Sequence, residues 1–223
     1  MARSATQSAQ RYPLTLILGT DTNVRLLREL SRHGGFLSGP GLVSRTGLAR
    51  AGVMNGLSSL ERLGVITTMG SGRARLYALR DDHPLRAVLD ALFEAEERRF
   101  DAILDAVRTA ARAAGPDVVA VWLYGSVARG EDRPDSDLDV AVVAMEEGLE
   151  KAVGAVRDAL HPAGETVGFS PSVVGLGTGD IERLARENDP WWTVVAADAL
   201  AVFGPRPDEI ERPSGARGGR AAA

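Results

Sequence analysis

Residues 123–143 read LYGSVARGEDRPDSDLDVAVV, and no other stretch limits the fold so sharply. An apolar run, Val118–Tyr124, reads as a strand and breaks at Gly125-Ser126. A polar loop containing proline follows, and a second apolar strand, Asp137–Ala144, opens with two carboxylates, Asp137 and Asp139. Residues i and i+2 of a strand face the same way, so both acids project together beside a glycine-serine turn. Paired carboxylates suit a hard cation such as Mg²⁺, which is commonly shared with substrate phosphates. Backbone N–H groups at a Gly-Ser turn entering a helix suit phosphate oxygens. The competing reading is a loop whose acids only solvate a strand end. The ordered pattern and its two flanking strands weigh against it.

The order Gly125-Ser126, Ala128-Arg129-Gly130, Ser136-Asp137-Leu138-Asp139 resembles the minimal nucleotidyltransferases of the DNA polymerase beta superfamily. That resemblance implies transfer of a nucleoside monophosphate from a nucleoside triphosphate (NTP) to an acceptor hydroxyl, with loss of pyrophosphate and with Mg²⁺ or Mn²⁺ as cofactor. Carried over, Asp137 and Asp139 are the catalytic metal ligands. Gly125, Ser126, Arg129 and Ser136 contact the nucleotide, Arg129 by neutralising phosphate charge. The family also uses a third carboxylate on a later strand. The matching run here, Glu165–Val174, has Ser170 and Ser172 at its centre and Glu165 as its only acid, at its start. The third carboxylate is therefore not found, which bears on turnover more than on nucleotide binding.

The 223 residues suffice for one large domain or two small ones. There is no cysteine, hence no disulfide or thiolate metal site. No apolar run approaches a membrane span, and the MARSATQSAQRY start lacks the apolar core of a secretory signal. A cytoplasmic protein without a membrane partner is expected. The net charge of −4 conceals an asymmetry. Residues 1–82 hold 11 Arg against 5 acids, or +6; residues 83–223 hold 15 basic groups against 25 acids, or −10. Two modules with different partners follow.

In the basic part, residues 22–33 read as a helix entered through Thr20, Asp21 and Thr22. Leu37–Thr46 and Leu48–Leu63 read as two more helices, Val65–Thr68 as a strand, and Arg73–Leu79 as the strand returning from a glycine turn. Three helices and a hairpin resemble a winged helix-turn-helix of the MarR- and ArsR-like sort. That resemblance implies double-stranded DNA as partner, with Arg50, Asn55 and Ser58 reading base edges and Arg45, Arg62, Arg73 and Arg75 contacting phosphate. Gly52 and Gly56 inside the third helix either allow close approach to DNA or reflect composition. A winged helix used for dimerisation or substrate docking is the alternative, and the +6 charge argues against it.

His83–Ala114 reads as helix with two apolar stripes; the first either joins the modules or supports a homodimer. After Gly115-Pro116 come the two strands described, a helix over Glu146–Leu160, a strand over Glu165–Leu176, a helix over Asp180–Glu187, and a final helix and short strand from Trp191 to Phe203. The fold class is α+β: a winged helix-turn-helix followed by a polymerase-beta-like α/β domain with a mixed sheet. The boundaries are a disordered tail over 1–12, the winged helix over 13–82, a helical connector over 83–97, the nucleotidyltransferase-like domain over 98–206 and a disordered tail over 207–223. The favoured function is a DNA-binding transcription regulator whose second domain binds Mg-NTP. The alternative is an active nucleotidyltransferase, of the antitoxin type where the acceptor is a toxin-like protein partner.

Overall fold

A computed structural model of the protein describes residues 14–210. The tail expected over 1–12, the part of the second tail beyond 210, and the side chain of Arg73 lie outside the described residues. The chain divides into two compact units between Arg98 and Arg99. No helix among the described residues is long and apolar enough to cross a membrane.

The first unit runs α1 (Leu14–Ile17), α2 (Asp21–His33), β1 (Leu37–Ser38), α3 (Gly39–Thr46), α4 (Arg50–Arg62), β2 (Ile66–Met69) and β3 (Leu76–Leu79), then the first half of α5 (Arg86–Ala113). Its three strands form an antiparallel sheet in the order β1-β3-β2. Thr20 caps α2 by accepting the Asn23 N–H at 3.1 Å. Leu26, Leu27 and Leu30 of α2 then meet Leu42 of α3 and Val53, Leu57 and Leu60 of α4 in one core. Gly56 is required by that packing: a Cβ there would lie 2.7 Å from both Leu26 Cδ1 and Thr22 Cγ2. Gly52 has nothing within 4 Å, so the two helix glycines have different origins.

Three local expectations change in this unit. Leu37-Ser38 is a strand paired with Leu76-Tyr77, because α3 starts only where Ser38 accepts the Gly41 N–H and proline occupies the first turn. The returning strand is shortened to Leu76–Leu79 by a 3₁₀ turn over Gly72–Ala74. The stretch expected as a connector is part of the core: Leu89 and Phe93 are buried within it. Arg28 donates to Glu96 at 2.5 and 2.8 Å, Arg32 pairs with Glu97, and Ser31 donates to Asp90.

The second unit contains the rest of α5, then β4 (Val118–Tyr124), α6 (Gly125–Arg129), β5 (Leu138–Ala144), α7 (Leu149–Val167), β6 (Pro171–Gly177), α8 (Thr178–Arg186), α9 (Pro190–Asp198), β7 (Leu200–Phe203) and α10 (Pro207–Ile210). The sheet order is β6-β5-β4-β7, with β5 parallel to β6 and antiparallel to β4, so the sheet is mixed. Strand alternation sends Leu138, Val140 and Val142 to one face, against Ile103 and Val107 of α5 and Val156 and Leu160 of α7. Ala141 and Val143 face the other way, with Trp122, Ile181 of α8 and Trp192 and Val195 of α9. Trp122 is fully buried and its indole N–H donates to the Pro205 carbonyl at 2.8 Å. Covered on both faces, β4 and β5 are nearly all apolar.

Two expectations fail here. The helix does not end at Leu160: α7 continues through Pro162 to Val167, and Gly168 closes it in the left-handed conformation with its N–H on the Gly164 carbonyl. Glu165 therefore sits exposed on a helix, not at the start of a strand. The tail expected from 207 begins later, because Pro207–Ile210 is helical, Pro207 is buried and Ile210 packs on the α8/α9 core.

Candidate functional site

Tyr124 ends β4 opposite Asp139 of β5. Gly125 follows with φ +74°, a conformation open to glycine at little cost. A Cβ on Gly125 would collide with Oδ2 of Asp139 and lie 3.3 Å from its Cγ. The turn thus brings the start of α6 directly against the Asp139 carboxylate, closer than any other residue type permits. Ser126 follows in the first turn of α6, whose leading N–H groups have no partner within the helix. Gly130 and Glu131 close the helix by donating back to Val127 and Ser126 carbonyls.

Asp139 is half-buried near the start of β5, and Asp137, expected to open that strand, is exposed as the residue just before it. Burial raises the Asp139 carboxyl above its ordinary range; the Asp137 charge adds to the rise and the Arg129 charge opposes it. The Tyr124 hydroxyl is raised likewise, by burial first and then by Asp139. Two acids in mutual repulsion at a strand end are a site that a cation would relieve. Among the described residues no group of three or more His, Asp or Glu is placed to hold a metal. The pair fits Mg²⁺ or Mn²⁺ of the kind held by one or two carboxylates plus substrate phosphates. No carboxylate stands on β6, where the residue beside Asp139 is Ser172.

Arg129 and Ser136, also expected to contact the nucleotide, have partners within the protein. Arg129 donates to Glu131 at 2.9 Å and to Asp198, at the end of α9, at 2.5 Å. Its charge is satisfied by two acids, and those hydrogen bonds, Glu131 first, raise its guanidinium further above its ordinary value. Ser136 turns its hydroxyl back to accept the Arg133 N–H at 2.9 Å, which shapes the loop. A cleft of about 1050 Å³ opens beside Ser136 and Leu138 and is also lined by Arg99, Phe100, His161 and Glu165. It lies on the Leu138 side of the sheet, and neither Asp137 nor Asp139 lines it.

Asp198 and Tyr124 are the site residues that sequence reasoning missed. Asp198 ends an apolar helix 69 residues from Arg129, with no local signal of its role. Tyr124 was visible as a strand end, but its pairing with Asp139 depends on register.

In the first unit, Arg50, Asn55, Ser58 and Arg62 are exposed along one side of α4. Arg62 donates to the Ser58 carbonyl of its own helix, at 3.4 Å. Arg45 lies 3.6 Å from Glu29, and Arg75 is bound to Glu61 and stacked 5.6 Å from the Tyr77 ring centroid. Both were expected to contact phosphate; each is paired with an acid within the unit and remains partly exposed.

The family model described as polymerase beta, nucleotidyltransferase, matches residues 109–161, the span that holds β4, α6 and both aspartates. No curated protein matches the chain. Solved structures also resemble it, two among them toxin-antitoxin proteins. One, a toxin-antitoxin with AMP-PNP, is 16% identical, covers 48% of this chain and 80% of its own, and has a TM-score of 0.35. The other, a mutant of the toxin-antitoxin MntA-HpeT, is 13% identical with the same coverages and a TM-score of 0.34.

Proposed function

We propose that the second unit binds a nucleoside triphosphate with Mg²⁺ and transfers its nucleoside monophosphate to an acceptor hydroxyl. The observation that carries this reading is the contact of Gly125 with Asp139, with Asp137 just before β5, inside the span matched by the nucleotidyltransferase family. Asp137 and Asp139 would hold the cation, which when bound would neutralise triphosphate charge and polarise the α-phosphorus. The leading N–H groups of α6, from Ser126 onward, would donate to phosphate oxygens. Arg129 would act indirectly, tying α6 to α9 through Asp198 and lowering the charge around Asp139. In transfer, a bond would form between the acceptor oxygen and the α-phosphorus, the bond to pyrophosphate would break, and the acceptor proton would pass to solvent water.

Ser172 cannot take that proton as a carboxylate would, so binding is expected to be stronger evidence of function than rate. Incubation with α-labelled ATP and candidate acceptors tests the reading: label transfer should disappear in Asp137→Asn, and transfer unchanged by that substitution would sink it. The antitoxin-type form differs only in the acceptor and is tested in the same assay, with the protein encoded by the neighbouring gene as acceptor.

The first unit supports a separate role in docking double-stranded DNA in winged-helix fashion. The row Arg50, Asn55, Ser58 and Arg62 on the open side of α4 favours it. Affinity for DNA should fall steeply with salt and weaken in Arg50→Ala. The absence of any salt-sensitive binding would remove this role.

A further inference from the structure

Helix α9 begins where Asp189 accepts the Trp192 N–H at 3.0 Å, with Pro190 in the first turn. That fixed entry sends two adjacent tryptophans to opposite fates. Trp192 is buried against Trp122, with ring centroids 6.0 Å apart. Trp191 stays 40% exposed. Along α9, Trp192 and Val195 are buried, Trp191 and Val194 are exposed, and Asp198, two turns on from Trp191, is largely covered.

Two residues of α9 tie it to the elements that carry the Gly125 turn and Asp139. At its start, Trp191 meets the Tyr124 ring edge-on, with centroids 5.8 Å apart and planes at 84°. Tyr124 is the residue before Gly125 and the cross-strand partner of Asp139. Two turns along the same side, Asp198 holds Arg129 of α6. An edge-on pair leaves at least one indole face without a ring partner, whichever ring supplies the edge. The exposed ring therefore stands at the strand end that carries Asp139, one residue's contact away from the Gly125 turn.

We infer that the indole of Trp191 is the platform on which the nucleobase of the bound nucleotide stacks. The inference rests on the nucleotide-binding reading of the second unit and adds where the base lies. Stacking on an aromatic face contributes without reading hydrogen-bond edges, because every base has a π-face. The site should therefore accept ATP and GTP alike, and discrimination between them would have to come from elsewhere.

The test uses the full chain with Mg²⁺ and titrates ATP and inorganic tripolyphosphate separately into wild type, Trp191→Ala and Trp191→Phe. Tripolyphosphate reports the phosphate and metal site alone. Wild type should bind ATP more tightly than tripolyphosphate. Trp191→Ala should weaken ATP roughly five- to a hundred-fold, the range for loss of one stacked base. It should leave tripolyphosphate within about two-fold. Trp191→Phe, which keeps a ring, should recover most of the loss. Equal binding of ATP by wild type and Trp191→Ala would overturn the stacking role alone. A parallel loss of both ligands in Trp191→Ala would also overturn it, by showing that Trp191 supports the phosphate site. Wild type binding neither ligand would overturn the nucleotide-binding reading and the stacking role with it.

Discussion

Replacing Gly125 by Ala separates two costs that the structure places at one residue. At φ +74° an added Cβ costs about 1–2 kcal/mol, because it is forced against the following carbonyl oxygen. For a unit of this size that corresponds to a Tm lower by roughly 4–10 °C. The second cost falls on function. The new Cβ would collide with Oδ2 of Asp139, and the carboxylate is the softer partner, so it rotates away from its place beside Asp137. Changing groups that orient metal ligands commonly weakens binding about 10–100-fold, and a loss of that order in Mg²⁺-dependent ATP affinity is expected. Gly130→Ala is the matched control. Its φ is +70°, but nothing lies within 4 Å of its added Cβ. It should lose similar stability while leaving ATP affinity within about two-fold. Thermal unfolding and ATP calorimetry on both variants decide the matter. Equal loss of affinity in both, or wild-type affinity in Gly125→Ala, would refute the argument that glycine is needed there to admit Asp139.

The same logic separates two glycines of α4. Gly52→Ala should stabilise the first unit by about 0.5–1 kcal/mol, since helix propensity rises and the site is open. Gly56→Ala should destabilise it, because an overpacking cost of about 1–3 kcal/mol against Leu26 and Thr22 exceeds the same gain; a denaturation midpoint of Gly56→Ala at or above that of wild type would contradict the packing. The Arg28 hydrogen bonds hold the Glu96 carboxyl below its ordinary range, so the pair adds stability above the unfolded-state pKa and loses it as pH falls through the folded one. The Tm gap between wild type and Glu96→Gln should be present at neutral pH and close in acid; a gap independent of pH would remove that contribution. Glu165→Gln should leave nucleotide binding and transfer unchanged, since Glu165 is exposed on α7; a large loss of transfer would restore it as the missing acid.

Much of this fold was legible in the order of residues. The strand Val118–Tyr124 was bounded by Gly115-Pro116 and Gly125-Ser126, and α2 by Thr20 and Gly34-Gly35, so punctuation and periodicity agreed. The Asp-x-Asp spacing pointed to the strand start where Asp139 pairs with Tyr124, with Asp137 just before the strand. The misreadings arose where a local signal was outweighed by packing. The helix from Glu146 was expected to end at Leu160, yet Leu160 is fully buried and α7 carries on past Pro162 until Gly168 stops it. Leu37 fits a helix by periodicity but finds a strand partner in Tyr77, 40 residues away. The different roles of Gly52 and Gly56, the engagement of Arg75 by Glu61 and that of Arg129 by Asp198 are all set by residues brought near through the fold. Nothing at those positions in the sequence announces the partner.

The central claim is that Asp137 and Asp139 hold a cation for a nucleotide at the Gly125 turn, and calorimetry of ATP with and without Mg²⁺ tests it most directly. Wild type should bind ATP only when Mg²⁺ is present, and Asp139→Asn, with its fold intact by thermal unfolding, should lose that binding. ATP binding that is the same without Mg²⁺, or the same in Asp139→Asn, would contradict the account.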